Sequence, residues 1–512
     1  MPRVRLINLI TGYSAQFLPR VISILVTPIF LASLGPDYFG ILGFLAGLVG
    51  VLTIFNHGLG RTVLRVLSSS QGETEALSDD QVRLFRTLCA CLWIGGAVLA
   101  LLLIPFSGTL AHFFASDSTR YTPDQLTLVF ALISASAVIQ FVTVFYISAL
   151  AGLNRQYIDH SAHCAVDVLR FVGGVGVIWW SSNALVDVFV LFTVLYVLRL
   201  VFSHIVLWRF LDLSKRRFEL RFSELAQFKD FVLGMTGIVV MLTLITTSDK
   251  FIIASVLSLD QFGYYVLAFS LANMMTMLST PITVVYMPTL TAGFAAHSGE
   301  QIRAKYRDQN TLLSLALLPT AVVILVFPTE VLWIYTRSVE AAEQGALCLQ
   351  LMTLGMLAAR LYDGAYVLQT AAGSTRVGLR VNAALAVLVP LSFAGASAWW
   401  GIAGSGGAWL LAGAMYLAVG VPMTHRHVLP EAKAADFFGP ILKVGTVTFA
   451  VAGVLAWSDV MSFYVDVNPS RFAAIVVFGI ATVSLYAVAL AVNPYVLRET
   501  TQRLCQWRHR LA

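Results

Sequence analysis

A chain of 512 residues in which 58% are hydrophobic and only 12% are charged is excluded from the ordinary soluble domains, where about a quarter of the residues carry charge. A net charge of +6 would suit nucleic acid, but the lysines and arginines lie between long apolar stretches, as in cytoplasmic loops, so no nucleic-acid partner is expected. The connections are too short for a separate soluble catalytic domain, and the cysteines, scattered through the spans and the tail, form neither a disulfide framework nor a zinc site.

A hydrocarbon core of about 30 Å needs roughly 20 apolar residues per helix. In chain order such windows fall at 6–34, 38–60, 85–106, 124–151, 164–182, 186–208, 228–257, 262–290, 309–328, 344–371, 378–400, 402–424, 441–457 and 470–492. The expectation is an all-α polytopic membrane protein with fourteen transmembrane helices. The first window follows Arg3 and Arg5 and is too long for a signal-peptide core, so it reads as an uncleaved span.

An even number of spans puts both termini on one side, and the positive-inside rule tests the assignment. With span ends counted in their loops, 26 of the 33 lysines and arginines fall on the side of the termini. Arg120, Arg337 and Arg471 lie on the other side, and Arg20, Arg199, Lys250 and Arg360 lie within spans. Both termini are therefore expected in the cytoplasm.

The loop after the first span, "LGPDYFG" (Leu34 to Gly40), and the loop after the seventh, "LSLDQFG" (Leu257 to Gly263), both fit L-x-x-D-x-F-G at an offset of 223. "AGLNR" from Ala151 recurs as "AGSTR" from Ala372, and Trp179–Trp180 recurs as Trp399–Trp400. Matches six spans apart imply two parallel six-helix lobes around a central cavity, related by an axis along the membrane normal. The expected domains are 1–210 (N-lobe), 211–427 (C-lobe) and 428–512 (two C-terminal helices and a basic cytoplasmic tail). The tryptophans read as aromatic-belt anchors, with sugar-stacking platforms as the alternative. The D-x-F-G turns read as span terminators.

An ionisable side chain facing lipid at mid-bilayer costs about 2.5 to 3.5 kcal/mol on the insertion scale. Arg20, Lys250 and Arg360 should therefore face an interior or a cavity. Arg199, nearer a span end, either does the same or snorkels, and so do Arg61 and Arg65 at the end of span 2. The acids inside are Asp249, Asp363 and, closer to an interface, Asp167 and Asp187. Arg360 and Asp363, three apart, share a helix face and can pair. Asp249 and Lys250 diverge by about 100° on a helix, which favours separate partners. Their counterparts in the first lobe, Val26 and Thr27, are uncharged. The deep charges lean cationic, which suits an anionic and especially a phosphate-bearing substrate.

These features resemble the multidrug/oligosaccharidyl-lipid/polysaccharide exporter superfamily, and within it the Wzx-type polysaccharide flippases. The similarity lies in the LGPDYFG turn, in Gly58, Leu59 and Arg65 of a D-x-G-L-x-x-x-x-x-R signature, and in Asp249–Lys250 followed by Phe262–Gly263. The chain departs from the signature at Asn56, where an aspartate is usual. The neighbouring His57 can titrate near neutral pH or be a hydrogen-bonded structural histidine.

The resemblance implies a flippase, not an enzyme, in a bacterial inner membrane. Its substrate would be undecaprenyl-diphosphate-linked oligosaccharide repeat units for O-antigen, capsule or exopolysaccharide. Arg20, Lys250, Arg360, Arg61 and Arg65 would bind substrate, and Asp249, Asp363 and His57 would couple transport to a proton or sodium gradient. No cofactor or metal is expected. The expected partners are membrane lipid and the polymerase and chain-length proteins of the same pathway, with the chain itself monomeric. A peptidoglycan lipid II flippase and a multidrug/toxin cation antiporter are the alternatives. The antiporter fits less well because span 1 carries Arg20 and no acid.

Overall fold

The computed structural model describes residues 2–68, 79–114, 120–211, 229–296, 299–374, 376–457 and 471–493. The basic tail expected beyond residue 493 and the connection at 212–228 lie outside the described residues. Every regular element among those described is helical, and 11 helical stretches are long and apolar enough to cross a bilayer. The chain is a multi-pass membrane protein.

One compact unit, Met1–Gly263, begins with α1 (Pro2–Ser68), which is two helices meeting at Gly35, where φ is 75°. An L-residue with a side chain is strained in that left-handed region. Then follow α2 (Asp79–Leu103), the short α3 (Ser107–Phe114), α4 (Pro123–Gly152), α5 (Gln156–Trp180), α6 (Ala184–Phe210) and α7 (Lys229–Val256). Helix α4 starts on a capping box: the Gln125 amide donates to the Thr122 hydroxyl and the Gln125 side chain accepts from Thr122 N–H, with Pro123 in the first turn. Helix α1 packs on α4, α5 and α7, and α4 on α6. Phe44 of α1 sits 5.5 to 5.7 Å from the rings of Phe114, Phe130 and Phe251, so one aromatic cluster ties α1, α3, α4 and α7 together.

The second unit, Tyr264–Ala512, takes in most of α8 (Leu259–Ala272), then α9 (Met274–Ala295), α10 (Gly299–Val326), α11 (Pro328–Thr336), α12 (Val339–Leu361) and α13 (Asp363–Ala371). Helix α14 (Arg376–Met415) is again two helices, joined at Gly401 with φ 57°. After it come α15 (Val421–Val428), α16 (Ala434–Trp457) and α17 (Arg471–Val492). Lipid tails are as apolar as leucine, so helices in a bilayer associate through close packing rather than water exclusion. Helices α12 and α14 show this: a methyl group on Gly355 would lie 2.2 Å from the Trp409 carbonyl oxygen. Phe327 and Phe478 meet edge to face at 5.8 Å and hold α10 against α17.

The repeat motifs end helices in both units. Asn154, with φ 56°, and Gly373, with φ 68°, follow α4 and α13, and Arg155 and Ser374 donate back to the carbonyls of Leu150 and Gln369. These are paired Schellman caps. Trp180 ends α5, and Trp400 precedes the Gly401 break. All four tryptophans of the two pairs are exposed, from 72% to 94%.

Several spans begin earlier than their apolar windows. Helix α5 starts at Gln156 instead of 164, α10 at Gly299 instead of 309, and α16 at Ala434 instead of 441. Their first turns carry ionic side chains that find partners on neighbouring helices, so low local hydropathy does not end the helix.

Candidate functional site

In the first unit, Asp249 is fully buried and Lys250 is 9% exposed. The mutual bridge that the divergence disfavours does form: Lys250 Nζ lies 3.1 Å from both carboxylate oxygens of Asp249 and donates to the Thr246 carbonyl at 3.3 Å. The two Cα–Cβ bonds do diverge, but a four-carbon stem is long enough to bend back, and two buried opposite charges favour the bend. The stem runs along Gly47 of α1, where a methyl group would come within 3.0 Å of Lys250 Cβ.

In the second unit, Arg360 Nη1 pairs with Asp363 Oδ2 at 3.4 Å, as the three-residue spacing suggests. The pair straddles the break between α12 and α13 at Tyr362. The Tyr362 ring stacks on Tyr416 at 4.8 Å, and Tyr416 donates to Asn382 Oδ1 at 3.0 Å. Tyr416 opens a π-helical turn that runs to Gly420. Gln369 holds the Tyr362 hydroxyl at 2.8 Å and Thr424 at 2.6 Å. An interrupted helix, a π-turn and stacked phenols therefore surround one arginine–aspartate pair. Such turns recur at functional sites. Sequence reading missed Tyr362, Tyr416 and Asn382. The available signal was Tyr362 itself, between the arginine and the aspartate.

The other candidates are dispersed along α1. Arg20 is exposed, beside the exposed Phe17, Leu18 and Val21. Arg61 is also exposed, while the side chains of His57 and Arg65 lie outside the described residues. Asn56 is fully buried, and its amide nitrogen donates to the Phe141 carbonyl of α4. An ionised aspartate has no donor to offer there, which accounts for the departure from the family signature. Arg199 does not snorkel: it is 8% exposed and donates to Asp159 Oδ1 at 2.9 Å. Asp167 lies in the middle of α5. Asp187 accepts from Ser181 at the start of α6.

The two repeat turns lie directly against one another. Gly40, last in the first motif, approaches the carbonyl oxygen of Leu259, third in the second, and Gly263 approaches that of Pro36. Arg120 N–H donates to Asp37 at 3.4 Å, and the Tyr121 hydroxyl donates to the Leu34 carbonyl at 2.6 Å, which ties the first turn to the chain before α4.

Residues 31–338 match the family described as "Polysaccharide biosynthesis protein". The chain belongs to this family. No curated protein matches it significantly in sequence. Among solved structures, its fold is similar to the lipid II flippase MurJ in an inward closed conformation, with TM-score 0.72, 14% identity, and 95% of this chain and 99% of that chain covered. It is similar also to an inward-facing multidrug resistance MATE family transporter of the MOP superfamily, with TM-score 0.63, 11% identity, and 83% and 100% covered. The MATE multidrug transporter DinF-BH, in a ligand complex, gives TM-score 0.55, 14% identity, and 85% and 96% covered. The fold is thus shared with a lipid II flippase and with MATE transporters.

Proposed function

We propose that this chain moves undecaprenyl-diphosphate-linked oligosaccharide repeat units from the cytoplasmic to the periplasmic leaflet of a bacterial inner membrane. It would work by alternating access of two parallel six-helix lobes within a fourteen-span topology with both termini cytoplasmic. It catalyses no covalent step in this reading. The observation that carries it is that each unit has a cation within an apolar helical stretch beside a carboxylate, Lys250 with Asp249 and Arg360 with Asp363, in a chain of this family.

The chemistry follows from partner exchange. A diphosphate offers more negative charge and more acceptor oxygens than a carboxylate, so it competes for the ammonium and the guanidinium. With the neighbouring cation drawn to substrate, Asp249 and Asp363 would hold a proton or a sodium ion more readily, which links substrate binding to an ion gradient. Arg20, Arg61 and Arg65 add attraction along α1, and His57 is a further coupling candidate. Tyr362 and Tyr416 offer ring faces on which a sugar can lie.

The test is reconstitution with fluorescent undecaprenyl-diphosphate oligosaccharide in proteoliposomes and quenching of the outer leaflet. Flipping above that of empty vesicles supports the reading, and its absence with active lipid and folded protein refutes it. A second reading, lipid II flipping, is favoured by the whole-length fold similarity to MurJ. Rescue of cells depleted of their lipid II flippase separates the two.

A further inference from the structure

Helix α5 carries ionisable residues at Asp159, His163 and Asp167, four apart and therefore on one face, about 6 Å from one to the next along the axis. Arg170 continues the stripe. Helix α6 meets it with Arg199, which bonds Asp159 at 2.9 Å, and with Tyr196, whose hydroxyl accepts from Arg170 Nη1 at 2.6 Å. Asp167 lies between His163 Nε2 at 3.6 Å and Arg170 Nη2 at 3.5 Å. All these groups belong to the first unit, and the substrate reading uses none of them.

The charges balance in one protonation state. Two aspartates offset two arginines, and arginine does not release its proton in proteins. The cluster is therefore neutral when His163 is neutral and carries one positive charge when it is protonated. Histidine is the side chain whose unperturbed proton affinity lies near physiological pH. Its Nδ1 is buried without a hydrogen-bond partner among the described residues, while 43% of its side chain is exposed. The imidazole is thus partly exposed, and its Nε2 faces the Asp167 carboxylate at 3.6 Å, which favours the protonated ring.

The groups that act on His163 are Asp159, Asp167, Arg170 and Arg199. From α1, Tyr38 interacts with Arg170, and no described ionisable group of that helix acts on His163. From α4, Tyr146 is engaged with His204 at 2.8 Å, and Asp124 lies in the first turn, remote from this end of the helix.

We propose that His163 is a proton-binding site, that its occupancy sets the net charge of the cluster between α5 and α6, and that the proton bound there is a coupling ion of transport. The last clause rests on the transport reading above, and the first two do not. One proton adds to the imidazole, and no other bond changes. A charged cluster in low dielectric favours different helix spacing or hydration from a neutral one, so proton binding biases the conformational equilibrium of this unit.

The experiment uses full-length protein with isotope-labelled histidine in lipid nanodiscs. One of the nine histidine signals, identified by its loss in His163→Gln, should titrate with pH. In Asp167→Asn, which removes the nearest anion and keeps the histidine, the midpoint should fall by about one pH unit, a tenfold loss of proton affinity. If His163→Gln does not fold, Asp167→Asn alone still must move one signal. In proteoliposomes, the flipping rate of His163→Gln should lose the pH dependence of the wild type. A His163 signal that does not titrate, an Asp167→Asn variant with all signals unmoved, or a His163→Gln variant with the wild-type pH profile overturns the proposal. A titrating His163 in a protein that flips no lipid-linked glycan retains the proton site and rejects the transport reading.

Discussion

Gly263 lies so close to Pro36 that a methyl group on it would stand 2.0 Å from the Pro36 carbonyl oxygen. The reciprocal contact, Gly40 on Leu259, leaves 2.5 Å. Each glycine is the seventh residue of its motif and meets the third residue of the other, so the two turns make reciprocal contacts.

The obstacle in both contacts is backbone, which cannot swing aside as a side chain can. Gly263→Ala should therefore destabilise the protein by about 1 to 3 kcal/mol, the usual range for overpacking, and Gly40→Ala by less. Thermal melting in detergent checks the order. Gly395→Ala, at a site with nothing within 4 Å, is the control.

Lys250→Met should lower the folded yield, because it takes away the ammonium 3.1 Å from the buried Asp249 carboxylate, and breaking a buried pair costs up to about 3 to 5 kcal/mol. Asp249→Asn combined with Lys250→Met should recover folding and fail to flip substrate. Yield and melting temperature are read beside flipping, and recovery of flipping in the double variant would make the pair a structural tie.

Asn56→Asp should destabilise rather than restore a family feature. The amide donation to Phe141 would be replaced by a carboxylate facing a carbonyl oxygen, a buried unsatisfied contact worth about 1 to 3 kcal/mol. Melting at pH 5 and pH 8 checks the sign: the variant should be less impaired at the lower pH, where a protonated carboxyl regains a donor.

Arg360→Gln should reduce flipping at least tenfold with normal folding, since the side chains of Arg360 and Asp363 are 29% and 17% exposed and the carboxylate is not sealed from water when the guanidinium is lost. Tyr416→Phe keeps the stack on Tyr362 and gives up one hydrogen bond, a loss of about 1 kcal/mol. Tyr416→Ala removes the ring face as well and should weaken glycan binding further. Isothermal titration with a water-soluble diphospho-oligosaccharide orders the three.

Sequence alone determined that the protein is a bundle of apolar helices, that helices break within both L-x-x-D-x-F-G stretches and close at both A-G-x-x-R stretches, and that Arg360 and Asp363 share a face. These follow from hydropathy, from backbone chemistry at glycine and from helical spacing, all of which are local. Tertiary structure alone decided the partners. Lys250 turns back on Asp249 because both are buried. Asn56 replaces an acid because Phe141 presents a carbonyl. Helix α5 begins eight residues before its apolar window because Arg199, forty positions away, neutralises Asp159. An ionic residue inside a membrane is tolerated according to what stands opposite it, and that is a property of packing between helices, which no local window of sequence contains.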